Sequence, residues 1–494
     1  MPELLHNMRE LLDEEMRGAT SPSGAAQATR RPRSARPLVL WGLILAAGLA
    51  LRLWFLHNPM PFDDDTDVYT ELARNLFQHG VYGFGYSGTI TPTLIRLPGY
   101  PIFLGVIFSL FGVENLHAVL LVQIALDLLG CWLIASFVRE QVSARAGTVA
   151  LALAALCPFT AAYSAIALTE SLSVFAVSLG LWSTGRLLRA QSVGVVDHAG
   201  ILLLSLAMTM AMLLRPDGML LTVATSATIL WYAWRQDHVR VGLRTALLCV
   251  AMAALALLPW TLRNWRTFHV IQPLAPRRVN DPGEYVTYGF YRWMSTWSVD
   301  VVSTGNVFWK MGTEAINIDD LPSRAFDSAA ERAQTAVLLD QYNASRSMPP
   351  ELDARFDALA QARQRAHPVL CRAWVPALRV ADMTLRPRTE TLGLAADWWH
   401  TDLHRTESMQ AVALGALNLA LLIAAAVGAI RIGRGRAHTP WIALLILYGG
   451  LRIALLSTLE NSEPRYSLEV FPILLASAAC ALAWRDDATR MTDV

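Results

Sequence analysis

The chain of 494 residues is 54% apolar and only 16% charged, with a formal charge of +1 and a mean hydropathy of +0.36. Acids and bases that balance so closely give no electrostatic footing for nucleic acid, and so much apolar surface calls for lipid as its solvent. Lys310 is the only lysine, so lysine-nucleophile chemistry has almost no candidate and basic work falls to arginine. Cys131, Cys157, Cys249 and Cys480 lie in apolar runs and Cys371 has no polar-loop partner, which argues against a disulfide framework or a cysteine zinc site.

A bilayer-spanning helix needs about 20 apolar residues, and 37–56 is the first such run. Arg30, Arg31, Arg33 and Arg36 precede it, which places the N-terminus in the cytoplasm and Asp63 outside. No small-residue cleavage pattern follows, so the run reads as an uncleaved anchor and 1–36 as a cytoplasmic extension. Further spans are expected at 116–138, 146–164, 168–186, 199–214, 217–234, 243–262, 408–430, 438–457 and 466–484, about ten in all. Segment 98–111 is apolar but short and opens with Pro98, Gly99 and Pro101. If it does not cross, the arginine clusters at 139/145, 186/189, 235/240/244, 431/434/436 and 485 all face the cytoplasm, so it reads as a re-entrant or interfacial helix on the outer face.

The chain thus divides into a seven-span core over 37–262 with a first periplasmic loop at 57–115, a periplasmic insert over 263–407, a three-span part over 408–484 and a cytoplasmic tail over 485–494. The insert reads as mixed, with helices expected at 325–342 and 350–366 and an aromatic patch of Tyr285, Tyr288, Tyr291, Trp293 and Trp297. Its stretch 369–385 is apolar but interrupted by Arg372, Arg379 and Asp382, a pattern suited to the membrane surface and not to a span. No internal repeat is visible.

Chemistry concentrates first at Asp63, Asp64, Asp65 and Asp67, followed by Tyr69 and a helical run to Phe77. Four crowded carboxylates repel one another unless arginines or a cation relieve them, and one could act as general base or divalent-metal ligand. The plainer reading is that Asp65 or Thr66 caps the helix and the rest are solvated, but capping accounts for one or two acids, not four. Arg96, Arg215, Arg263, Arg266 and Arg465 fall at predicted outer boundaries, where guanidinium forks suit phosphate oxygens or else snorkel to headgroups and pair with Asp217 or Glu463. Asp127, Glu170, Arg452 and Glu460 are intramembrane or boundary charges that need partners, and Asp127 with Arg452 is the pairing expected inside the bundle. Glu170 sits at the outer start of its span, near the acidic loop or simply as a first-turn helix acid. His400 and His404 have metal-binding spacing around Asp402 but stand beside Trp398 and Trp399, so an interfacial belt is the better reading.

Taken in order, Asp65-Thr66-Asp67-Val68-Tyr69, Gly80-Val81-Tyr82-Gly83, Arg96-Leu97-Pro98-Gly99-Tyr100-Pro101, Thr169-Glu170, Arg215-Pro216, Pro259-Trp260 with Arg263-Asn264, and Arg465-Tyr466 resemble the membrane-embedded GT-C glycosyltransferases, in the protein-mannosyltransferase and aminoarabinose-transferase branch. The resemblance implies an all-α polytopic membrane protein with an outer-face acidic first loop. It implies an inverting transferase that uses a polyprenyl-phosphate sugar donor and a periplasmic acceptor (glycan, lipid or protein) at a bacterial inner membrane. Asp65 would be the base, with Asp64, Asp67 and Asp63 as neighbouring candidates, and Arg96, Arg215, Arg263 and Arg465 would hold the donor phosphate. Glu170, Tyr69, Tyr100 and Tyr466 are candidate substrate-site residues. The family often carries Asp-Glu where this chain has Asp65-Thr66. No cofactor is implied, apart from the divalent metal that the acidic loop could take. Two competing readings are a transporter or flippase lined by Asp127 and Arg452, and a polymerase or ligase of lipid-linked glycans, which would need no acid after the first span.

Overall fold

The computed structural model describes residues 36–60, 64–395, 397–434 and 439–483. The chain divides into two units, Met1–Gly42 and Leu43–Val494; among the described residues, the first holds only the opening turns of a helix.

Backbone in lipid must satisfy its own hydrogen bonds, so the apolar runs become helices. The first part comprises α1 (Arg36–His57), α2 (Asp64–His79), a hairpin of β1 (Gly83–Tyr86) and β2 (Thr89–Pro92), and α3 (Gly99–Phe111). Next come α4 (Leu116–Gln141), α5 (Ala144–Ala155), α6 (Pro158–Ser164), α7 (Thr169–Ser192), α8 (His198–Leu214), α9 (Met219–Arg235) and α10 (Val239–Phe268). Asn115 and Ser143 cap α4 and α5 by accepting from the amides of Ala118 and Ala146. Pro158, which cannot continue a helix in register, starts α6 at a 54° bend from α5.

The described residues of each of the ten predicted spans are largely helical, with 146–164 broken at Leu156 and Cys157. Among the described residues seven helices are long and apolar enough to cross a membrane, and the bent pair α5–α6 makes an eighth. At 17 residues each, α8 and α9 reach about 25 Å, less than the roughly 30 Å of a hydrocarbon core, so length alone does not support a count of ten. The segment 98–111 is the short apolar helix α3, and Gly99 explains its fit: a Cβ there would lie 2.6 Å from the carbonyl oxygen of Leu213 on α8.

The insert begins only after Phe268, because α10 runs past the expected boundary at 262. It carries α11 (Tyr288–Ser295), α12 (Ala329–Ser345), α13 (Pro350–Ala366) and α14 (Val375–Leu385), and the described strands of the chain are confined to the first-loop hairpin. Its core gathers Phe290, Trp293, Trp297, Leu338, Tyr342 and Phe356, so the expected aromatic patch is divided. Trp293 and Trp297 are interior, while Tyr285 and Tyr288 are exposed. Asp353 of α13 accepts from the amides of Gly289 and Phe290 at 3.0 and 2.8 Å, closing the start of α11. Along 369–385, Leu370, Trp374, Leu378 and Leu385 stand exposed. Arg379 turns inward to the Ser298 carbonyl at 2.7 Å, and Asp382 accepts from Ser462 Oγ at 2.7 Å. Arg372 stays exposed. An apolar stripe with two of its three charges turned inward suits a helix lying on lipid.

After the insert, α15 (Arg405–Gly433), α16 (Thr439–Ser457) and a 3₁₀ segment Pro464–Val470 leading into α17 (Phe471–Ala483) complete the described fold. Gly428 lets α15 meet α17, since a Cβ would collide with the Ser477 carbonyl.

The expected Asp127–Arg452 pair does not form. Asp127 on α4 is held by Arg52 on α1, whose Nε lies 2.7 Å from Oδ2. Arg52 Nη1 also donates to the carbonyls of Gly48 and Ala155, at 2.9 and 2.6 Å. Arg452 turns instead to Asp217 and Glu469. Packing of α1 against α4 brings Arg52 to Asp127, and an arginine inside an apolar run was itself the signal that a carboxylate must face it. With both groups buried, Asp127→Leu alone should lower stability by about 3–5 kcal/mol, because it strands a guanidinium. Thermal unfolding in detergent should show most of that loss recovered when Arg52→Met is added.

Candidate active site

The site is built on the first turn of α2. Helix begins by Asp64, so Asp65 is inside it, and its carboxylate oxygens go to guanidiniums and not to a capping amide. Oδ1 accepts from Arg96 Nη2 at 3.0 Å and Oδ2 from Arg465 Nη1 at 2.9 Å. Burial opposes ionisation of Asp65, but Arg465 and Arg96 outweigh it and hold the carboxyl below the usual carboxylate range. Thr66 Oγ1 donates to the Ala167 carbonyl at 3.2 Å, tying α2 to the approach of α7. Asp67 is exposed, the backbone of Asp64 starts the helix, and Asp63 lies outside the described residues.

Arg96 is placed by the hairpin. β1 and β2 pair antiparallel from Gly83↔Pro92 to Tyr86↔Thr89. Arg263 of α10 clamps both ends, donating at 2.7 Å to the carbonyls of Tyr82 and Thr93, with a third bond to Asn264 Oδ1 at 3.0 Å. The Tyr82 hydroxyl lies 3.1 Å from the carbonyls of Arg96 and Leu97. Asp281 of the insert accepts from Thr93 Oγ1 and the Leu94 amide at 2.7 and 2.8 Å. Arg263 therefore supports the loop that carries Arg96, and its guanidinium lies over Tyr82, Trp260 and Phe268.

From Asp65 an ionic chain runs inward. Arg465 Nε lies 3.6 Å from Glu463 and 4.0 Å from Glu170. Glu170 faces Arg215 at 3.2 Å, and Arg215 also reaches Asp217 at 3.3 Å and Glu469 at 3.1 Å. Asp217 and Glu469 in turn hold Arg452. Tyr466 lies under both Arg215 and Arg465, with ring centroids 5.3 and 5.7 Å from the guanidinium carbons. Glu463 is pushed up, because burial outweighs Arg465 and its hydrogen bond from Trp309 Nε1 at 2.7 Å.

Tyr69 and Tyr100 meet edge-on at 5.1 Å. Tyr100 donates to Gln123 Oε1, while burial first, and then Asp65 and Glu170, push the Tyr69 hydroxyl up to about 12, so it remains a neutral phenol. Asp65, Arg96, Arg215, Arg465, Glu170, Tyr69 and Tyr466 thus share one neighbourhood, Tyr100 lies behind Tyr69, and Arg263 supports from outside. Glu469 was not singled out from the sequence, although an acid inside the apolar 466–484 run was a visible anomaly. Among the described residues no group of three or more His, Cys, Asp or Glu is arranged to hold a metal ion. His400 and His404 both face Asp397, at 3.5 and 3.3 Å.

Chemically, the site offers one carboxylate at a partly open mouth, flanked by guanidiniums that match phosphate oxygens. Residues 95–262 match the family model of the dolichyl-phosphate-mannose-protein mannosyltransferases, so the likeness to GT-C glycosyltransferases read from the motifs is met again over this segment. No curated protein matches the sequence. Among solved structures, the oligosaccharyltransferase AglB of Archaeoglobus fulgidus, in complex with an inhibitory peptide and a dolichol-phosphate, is 13% identical over 90% of this chain and 50% of its own, with a TM-score of 0.47. ArnT of Cupriavidus metallidurans bound to undecaprenyl phosphate is 18% identical over 86% of this chain and 77% of its own, with a TM-score of 0.36. The chain therefore spans about half the length of the archaeal protein.

Removing the clamp should free the loop and spare the bundle. Arg263→Ala is expected to speed amide exchange at Thr93 and its neighbours by about tenfold or more, the low end of the scale for one lost hydrogen bond to a charged group. Exchange in α4 and α7 should stay as it was.

Proposed function

We propose that this multi-pass membrane protein is an inverting glycosyltransferase. It moves a sugar from a polyprenyl-phosphate donor to a glycan, lipid or protein acceptor at the outer, periplasmic face of a bacterial inner membrane. The observation that carries the reading is the Asp65 carboxylate set between Arg96 and Arg465 at the more exposed end of a chain of paired charges.

In this reading Asp65 takes the proton of an acceptor hydroxyl as that oxygen bonds to the anomeric carbon. The bond from that carbon to the phosphate oxygen breaks, and the polyprenyl phosphate departs with the electron pair. Arg96 and Arg465 hold the phosphate and stabilise the charge it gains. Arg215, already facing three carboxylates, fixes Glu170 and the floor beneath Tyr466, while Arg263 keeps Arg96 in place. A transport pathway lined by Asp127 and Arg452 is less well supported, since each is locked to partners on other elements.

Reconstituted protein supplied with polyprenyl-phosphate sugars should consume donor in the presence of acceptor. Asp65→Asn should cut that turnover by roughly a hundred- to ten-thousand-fold, the usual contribution of a general base. Turnover untouched by this change would remove Asp65 from the mechanism.

A further inference from the structure

Asp65 has each of its two oxygens accepting from a charged donor, at 3.0 and 2.9 Å, and lone pairs shared in this way are weaker bases than free ones. Charge-assisted bonds of this kind are about twice as strong as neutral ones, and they stabilise the ionised form against taking a proton. Of the two guanidiniums, Arg96 is the one open to an incoming anion, and Arg465 stands behind it. Within the ionic chain Asp65 and Arg96 keep 25% and 23% of their side-chain surface, Arg215 and Arg465 keep 17% and 9%, and Glu170 and Glu469 keep only 3% and 4%. A phosphate approaching from outside therefore meets Arg96 and Asp65 together, and cannot engage the arginine forks without competing with the carboxylate.

We infer that Asp65 is an internal stand-in for the donor phosphate: in the empty site it occupies Arg96 and Arg465, and the phosphodiester of the arriving donor displaces it and thereby releases it to act as base. The proposal rests on the glycosyltransferase reading and adds to it an order of events, in which the base becomes competent only when the donor is in place. Geometry supports the exchange. Arg96 sits on a hairpin-borne loop and Arg465 at the head of a 3₁₀ segment, so the two forks approach the carboxylate from different elements and can turn to a common anion between them. Freed of the guanidiniums, the carboxyl would rise toward its ordinary range and become a stronger base when it is needed.

The test is equilibrium binding of undecaprenyl phosphate to the full chain in nanodiscs, for wild type, Asp65→Asn and Asp67→Asn. Removing an internal competitor should tighten binding by Asp65→Asn about tenfold even as transfer is lost. Asp67 is exposed and one residue beyond Thr66, so Asp67→Asn measures the general effect of one fewer negative charge and should change affinity less than twofold. Asp65→Ser serves the same purpose if the amide variant folds poorly. Equal or weaker binding by the Asp65 variants, or equal tightening by Asp67→Asn, would overturn the proposal. Failure of the broader reading looks different: wild-type protein would neither bind undecaprenyl phosphate nor consume a polyprenyl-phosphate sugar.

Discussion

A carboxylate at a membrane mouth can remain charged only if something answers it, and the answer to Asp65 comes from two distant parts of the chain. Arg96 is 31 residues away and Arg465 is 400. Their meeting brings the first loop and the start of the last helix to one point, and each further charge in the cleft then needs a partner. Glu170 answers Arg215, Arg215 answers Asp217 and Glu469, and those two answer Arg452. The chain of pairs reaches across α2, α7, the turn before α9, α16 and the entry to α17, so the arrangement of the bundle and the arrangement of the site are the same constraint seen twice. Charges of opposite sign at such depth do little for net stability, but misassembly would strand them, and that cost selects one packing.

Apolar length made the helices legible: each of the ten predicted runs is largely helical, and 350–366 was placed to the residue as α13. Counting which of them cross depends on length against membrane thickness, and α8 and α9, though as long as the apolar runs that announced them, are 17 residues each and reach less than the roughly 30 Å of a hydrocarbon core. The residues that share the cleft could be named because ionisable groups near apolar runs are conspicuous. Who pairs with whom was not legible, because pairing depends on which helices are neighbours. Asp127 shows the difference: its need for a cation was evident, but Arg52 was passed over in favour of Arg452.

Arg263 illustrates a second limit. Its position near the C-terminal end of α10 suited a phosphate ligand as well as the position of Arg96 did, and only the fold reveals that its fork is filled by the carbonyls of Tyr82 and Thr93. A sequence reports which donors exist at a boundary, whereas backbone carbonyls that absorb them appear only once the hairpin has turned back on itself.

The seam between the insert and the segment before α17 bears on how such proteins diversify. Thr304 Oγ1 meets the Ser462 amide at 2.9 Å, Trp309 holds Glu463, Arg388 reaches the Pro464 carbonyl at 3.3 Å, and Arg278 pairs with Glu460 at 2.7 Å. The insert is therefore stitched, residue by residue, to the strip of chain that ends in Arg465. It cannot be exchanged as an independent cassette: a grafted insert would have to bring a matching 460–464 strip with it, and would also have to replace the grip of Asp281 on Thr93 and Leu94 and the carbonyls of Thr384 and Arg386 that Asn418 of α15 bonds.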